Sequence, residues 1–211
     1  MAIAFRYPDD PVRISQDRLK KLSDTRKPGS LLAQLKFDGW RCPMYKIDGR
    51  WQFYAKREGT TERDKPPPDH LVRQLDALGL PDGVAFDGEW MGPRDVYRVL
   101  TGKHYFVLFD MMYFDGQWQG DVPFSQRVAN LKTLIGLHRG KAKGDTSLIE
   151  VAQTVDSNWN AMFEESKKNP LTEGIVLREA DSWLIGDPRA AKDNALWMKV
   201  KWRDIKEPAK Y

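Results

Sequence analysis

The sequence predicts an α+β domain with largely antiparallel sheets, on three observations. Short apolar/polar alternating runs are bounded by Asp-Gly pairs, at Asp48-Gly49, Asp82-Gly83 and Asp115-Gly116. A few segments with helical spacing interrupt these runs, and the regular strand–helix–strand alternation of a parallel sheet is missing. Composition agrees with a folded chain: 41% of the 211 residues are hydrophobic and 30% charged, which excludes a disordered polyelectrolyte.

In chain order, Ser15 caps a short helix to Leu22. Strands are predicted at Leu31 to Lys36, Trp40 to Ile47 and Arg50 to Lys56, the last two forming a hairpin through Asp48-Gly49. Lys65-Pro66-Pro67-Pro68 breaks the chain, after which Leu71, Val72, Leu75 and Leu78 recur at helical spacing and Gly79 closes the helix. Strands follow at Val84 to Met91 and Tyr105 to Phe114. Ser125 is read as the cap of a helix carrying Val128, Leu131, Leu134 and Ile135 on one side. Ser147 to Thr154 reads as a strand, and Ser157 to Lys167 as a helix with Trp159, Met162 and Phe163 inward. The last two strands are Gly174 to Glu179 and Leu196 to Trp202. No repeat, low-complexity tract or long linker divides the chain.

The single Cys42 forms no intrachain disulfide, and no apolar run or leader-like N-terminus appears; the expectation is a reduced, cytoplasmic protein with no membrane partner. The formal net charge is +4, a mild value that a mixed, solvated surface accounts for. Local clusters say more: Arg18 to Lys27, Arg139 to Lys143, and Lys199 to Lys210 could follow a phosphate backbone. Among the eight tryptophans, Trp51, Trp118 and Trp183 are read as packing residues, none as a base-stacking platform.

Four segments carry chemistry. In Lys36-Phe37-Asp38-Gly39-Trp40-Arg41 a lysine leaves a strand beside a glycine that admits a ligand to the backbone; partial desolvation and nearby cations favour its nucleophilic, neutral amine. The same residues could also form an ordinary exposed turn. In Phe86-Asp87-Gly88-Glu89-Trp90, strand alternation puts Asp87 and Glu89 on one face, either as a solvated acidic pair or as carboxylates for a ribose hydroxyl or a divalent ion. Glu173 opens the apolar strand Gly174-Ile175-Val176-Leu177-Arg178. Finally, Lys199 and Lys201 share a face opposite Met198, Val200 and Trp202, and two adjacent lysines call for solvent or an anion between them.

These segments, in this order, resemble the motifs of the covalent nucleotidyltransferase superfamily, specifically ATP-dependent DNA ligases, over nearly all of Leu31 to Trp202. Lys36-Phe37-Asp38-Gly39-Trp40-Arg41 is similar to the adenylation motif, and Lys56-Arg57-Glu58-Gly59 to the short motif after it. Asp87-Gly88-Glu89, Phe106 to Asp110, Glu173 to Arg178, and Lys199-Val200-Lys201 resemble the remaining four. The resemblance implies a nucleotidyltransferase (ATP-grasp-like) fold at 31–203, with 1–30 as an N-terminal extension, 204–211 as a tail, and a nucleotide cleft between sheets.

It further implies that Lys36 attacks ATP to form lysyl-AMP, and that Lys199 and Lys201 neutralise the phosphate. Gln34, Arg41, Arg57, Glu89, Phe109 and Glu173 would bind the nucleotide, while Asp38, Glu89 and Glu173 would hold Mg²⁺ or Mn²⁺. Phe109 is equally readable as a core aromatic. The implied partner is nicked duplex DNA, acted on by a monomer, in repair or replication. Gln34 stands where relatives often carry an acid. Only ten residues follow Lys201, so the usual OB-fold is expected to be missing, which leaves a naturally reduced ligase, an excised catalytic domain, or a protein that needs a clamp domain or protein in trans. RNA ligase, capping guanylyltransferase and a non-catalytic nucleotide-binding module are the alternatives.

Overall fold

In a computed structural model, residues 3–55, 66–92, 104–187 and 192–202 are described. Ser15 does cap the first helix, its hydroxyl accepting the Arg18 N–H at 3.1 Å, but α1 (Gln16–Thr25) runs past Leu22 because the Thr25 hydroxyl and the Arg26 N–H close the extra turn on the carbonyls of Lys21 and Leu22. The other helices among the described residues are α2 (Asp69–Ala77), α3 (Phe124–Arg139) and α4 (Trp159–Ser166). Ser125 does not cap α3. Pro123 is the cap residue, and the Ser125 N–H instead donates to the Ala180 carbonyl, which ties the helix start to the chain leaving a strand.

Among the described residues, twelve strands form two sheets: β1 (Asp10–Arg13), β2 (Leu31–Phe37), β3 (Trp40–Arg41), β4 (Met44–Ile47), β5 (Arg50–Phe53), β6 (Ala85–Met91), β7 (Tyr105–Phe114), β8 (Gln117–Trp118), β9 (Ile149–Val151), β10 (Thr154–Val155), β11 (Thr172–Glu179) and β12 (Asp193–Lys201). The smaller sheet has the order β1-β12-β11-β2-β10; the larger has β5-β4-β6-β7-β8, with β3 on β6 and β9 on β7. All pairings are antiparallel except β1 with β12 and β7 with β9, so the α+β expectation holds.

Three strand readings are corrected. Trp40 to Ile47 breaks into β3 and β4 at Cys42-Pro43, where proline has no N–H for the ladder. Ser147 to Thr154 divides into β9 and β10, which lie in different sheets, so this segment steps from one sheet to the other. Strand β1 was not foreseen. The Asp48-Gly49 hairpin turn is as expected, and Asp115-Gly116 turns the chain into β8, which was not foreseen; all four residues take positive φ, the geometry that matches strand twist.

Each sheet buries one face on helices. Behind the smaller sheet, Leu31, Ala33, Ile175, Leu177 and Val200 pack on Leu19 and Leu22 of α1 and Trp159 and Phe163 of α4, with Met162 at the margin. Behind the larger sheet, Phe86, Phe106 and Leu108 pack on Leu71 and Leu75 of α2 and Leu131 and Ile135 of α3. Trp51 is buried, whereas Trp183 is 57% exposed against the packing expectation. Among the described residues no helix is long and apolar enough to cross a membrane. The opposite faces of the two sheets turn toward each other and meet through two apolar clusters, around Trp197 with Ala85 and Tyr113 and around Phe37 with Val107 and Phe109, and through the polar groups of a cleft.

Candidate active site

Directly paired strand residues point the same way, so register defines the cleft face of the smaller sheet. Lys36 pairs with Gly174 and Gly174 with Lys201; Gln34 pairs with Val176 and Val176 with Lys199. All therefore face the cleft, while Met198, Val200 and Trp202 face the helices, as the alternation implied. Glu173 is the centre of the group. Its two oxygens take the ammonium groups of Lys36, in a very short ion pair, and of Lys201, at 2.9 Å. Burial pushes the Glu173 carboxyl up, but the two lysines outweigh it and hold it below the ordinary carboxylate range.

This convergence needs close backbone approach. A Cβ on Gly174, at φ +150°, would lie 1.8 Å from the Val200 carbonyl oxygen, so only glycine lets β11 lie this tightly on β12. At Gly39 a Cβ would lie 2.6 Å from the Trp90 carbonyl oxygen and 2.8 Å from the Glu89 side chain. That fit lets the Gly39 N–H donate to Glu89 Oε1 at 3.0 Å, which fixes Glu89 beneath the Lys36 turn. Burial is the main reason the Glu89 carboxyl is pushed up to about 7, with Lys36 and Arg41 opposing it.

Gln34 is buried and its amide nitrogen donates to the Phe109 carbonyl at 3.0 Å and to the Thr154 hydroxyl at 3.2 Å, joining the two sheets at one end of the cleft. There the Phe109 ring lies nearly parallel to that of Phe37, with centroids 6.3 Å apart. Asp38 lies in the turn, its N–H donating to Leu171. Lys199 is half-buried beside this group. Arg57, with its motif, lies outside the described residues.

Arg41 is differently placed from a forked donor awaiting a ligand. Its guanidinium makes a two-point contact with Asp87, at 3.0 and 2.8 Å, and further contacts with Asp10 at 2.7 Å and the Asp9 carbonyl at 2.8 Å. Burial opposes its charge, but Asp87, Asp10 and Glu89 outweigh that and hold its pKa above the ordinary value. Asp87 is fully buried, so the solvated-acid reading of this pair is excluded.

The sequence reading missed what stands behind Asp87. Arg178 lies 3.9 Å from Asp87 and 3.2 Å from Asp110, and Asp110 in turn receives a two-point contact from Arg127 of α3 at 2.9 Å. Arg178 rests 3.9 Å over the Trp197 ring and 4.6 Å over Phe124; burial pulls its pKa down to about 10 against the pull of Asp110 and Asp87. The available signal was parity: Arg178 shares the face of Gly174 and Val176.

Three carboxylates, Asp38, Glu89 and Glu173, were expected to hold a metal. Among the described residues no group of three His, Cys, Asp or Glu side chains is close enough to do so, and both Glu173 oxygens face ammonium groups.

Two facing sheets with a lysine-bearing cleft between them recur in solved structures of DNA ligases. The mycobacterial DNA ligase D complexed with ATP superposes with a TM-score of 0.62 at 16% identity, covering 92% of this chain and 60% of that one. The ATP-dependent DNA ligase of bacteriophage T7 superposes with a TM-score of 0.55 at 17% identity, covering 92% and 68%. The family model described as RNA ligase matches residues 29–201, and the chain belongs to that family. A DNA ligase-like protein, LigB, from a Bacillus subtilis prophage is 26% identical over 89% of this chain and 67% of its own length. A DNA ligase of Methanoculleus marisnigri is 24% identical over 82% of this chain, which spans only 32% of that protein.

Proposed function

We propose that this chain is the adenylating domain of an ATP-dependent polynucleotide ligase that seals 5′-phosphate/3′-hydroxyl nicks in DNA. The observation that carries the proposal is Lys36, Glu173 and Lys201 meeting at one point on the cleft face. Glu173 holds the Lys36 side chain at the cleft floor. When the triphosphate enters, Lys199 and Lys201 face its α-phosphate and offset the charge that develops there, the main lever in phosphoryl transfer. Lys36 then bonds to the α-phosphorus, pyrophosphate leaves, and AMP passes to a 5′-phosphate. A neighbouring 3′-hydroxyl completes the seal and frees AMP.

Gln34 and Phe109 sit at the end of the cleft suited to the base, and Glu89 beneath the turn suits a ribose hydroxyl. The Arg41 fork, engaged by Asp87 and Asp10, serves to hold β3 and β1 together, and would meet a phosphate only by exchanging Asp10. Mg²⁺ would be bound largely by phosphate oxygens with one or two carboxylates such as Glu89. Work on duplex would draw on an OB-fold clamp, in cis or in trans, around a monomer; repair or replication is the natural setting.

Intact mass after incubation with ATP and Mg²⁺ is expected to show one added AMP, absent in Lys36→Ala. An unmodified wild-type protein would refute the proposal. The family model is described as RNA ligase, so RNA is the second reading. Pre-adenylated nicked DNA should be sealed faster than pre-adenylated nicked RNA; the reverse would favour RNA.

A further inference from the structure

The cationic face of the cleft extends one strand beyond the two lysines. Strand β1 pairs in parallel with β12, with Arg13 opposite Lys199, and the Ile14 N–H donates to the Lys199 carbonyl at 3.0 Å. Ile14 packs into the apolar layer behind the sheet, so Arg13, its neighbour, faces the cleft on the side of Lys199 and Lys201. The Arg13 side chain is exposed there. The strand that carries it is firmly held. The buried Asp9 carboxylate accepts the N–H groups of Ile185 and Gly186 and the Asn194 side-chain amide at 2.8–3.0 Å, and Asp10 pairs with Arg41.

Across the smaller sheet the polar groups therefore run in order: Thr154 on β10, Gln34 and Lys36 on β2, Glu173 on β11, Lys199 and Lys201 on β12, and Arg13 on the β1 edge. This order has a chemical consequence if Lys36 attacks ATP, the reading on which the inference rests. In an in-line displacement the leaving group departs opposite the nucleophile. Lys36 approaches from β2, so pyrophosphate leaves over β12 toward β1, where each strand adds about 4.8 Å.

We propose that Arg13 binds the β- and γ-phosphates and stabilises the departing pyrophosphate. As the Lys36 Nζ–phosphorus bond forms, the bond from the α-phosphorus to the bridging oxygen breaks and its electron pair leaves on pyrophosphate; the amine proton goes to solvent. The guanidinium fork suits the oxygens that gain this charge.

The test uses the full chain. Arg13→Ala should lower kcat/KM for ATP in self-adenylation about 10- to 100-fold, the range for one charge-assisted contact. Cleavage of the lysyl-AMP form by added pyrophosphate, the reverse of the same step, should fall by a similar factor. Sealing of pre-adenylated nicked DNA, which involves no pyrophosphate, should be unaffected, and Arg13→Lys should recover part of the loss. Arg73→Ala, which removes a charge from the exposed face of α2, should change none of these. Equal adenylation and pyrophosphate cleavage in wild type and Arg13→Ala would overturn the inference, as would a parallel loss of sealing. Failure of the wild-type protein to form lysyl-AMP would instead overturn the ligase reading beneath it.

Discussion

The chain of charges Arg41–Asp87–Arg178–Asp110–Arg127, which joins the two sheets, and the trio Lys36–Glu173–Lys201, on the cleft face of the smaller one, are built in opposite ways. In the first, Asp87, Asp110 and Arg127 are fully buried, and the arginine forks meet carboxylates in two-point contacts. In the second, one carboxylate is shared between two lysines whose side chains stay 23% and 16% exposed. A buried network resists change, because removing one member leaves a charge without compensation. A shared, half-open one can exchange partners, so an incoming phosphate can take the lysines from Glu173. The difference separates charges that fix the two sheets from charges proposed to do the chemistry.

The sharpest way to break this comparison is Asp110→Asn, which strips Arg127 and Arg178 of their common partner. It should lower unfolding stability by about 3–5 kcal/mol in urea titration; a loss below about 1 kcal/mol would show that the network is not a structural tie. Lys201→Ala should do the converse. Glu173 keeps Lys36 as partner, so stability should change by less than about 1 kcal/mol, while self-adenylation slows about 10²–10³-fold. A collapsed melting point with unaltered chemistry would reverse the assignment.

Glu89 sharpens the comparison because it borders both groups. Its folded pKa is raised from 4.5 to about 7, so the native state holds the proton more tightly than the unfolded chain. Stability should therefore fall as pH rises from about 4.5 to about 7, by on the order of 2–3 kcal/mol from this group. Glu89→Gln should flatten that part of the profile, and an identical slope in wild type and variant would refute it. The smallest effect is expected outside the cleft. Arg26 and Glu179 pair at the surface, and Arg26→Ala should cost at most about 1 kcal/mol in the same titration.

How much of this was legible follows from what each feature depends on. Alternation over Met198 to Trp202 and the Asp-Gly hairpins are local properties, and they placed Lys199 and Lys201 on one face and set the turns correctly. The convergence of Lys36 with Glu173 depends on β2 pairing with β11 across more than a hundred residues, which spacing does not encode; the motif resemblance, not periodicity, pointed to it. Strand β1 was missed because Pro11 interrupts four residues that lack an alternating pattern, and its pairing is with the far end of the chain. Arg178, Asp110 and Arg127 were missed for another reason. Charged residues are expected at the surface, and only the fold shows that they neutralise each other in the interior.

The most direct test of the central claim is the location of the covalent label. After incubation with ATP labelled at the α-phosphate, digestion should give a single labelled peptide, the one containing Lys36, with the label lost in acid and kept in alkali as for a phosphoramidate. Label on another residue, or none, would contradict Lys36 as the group that takes AMP.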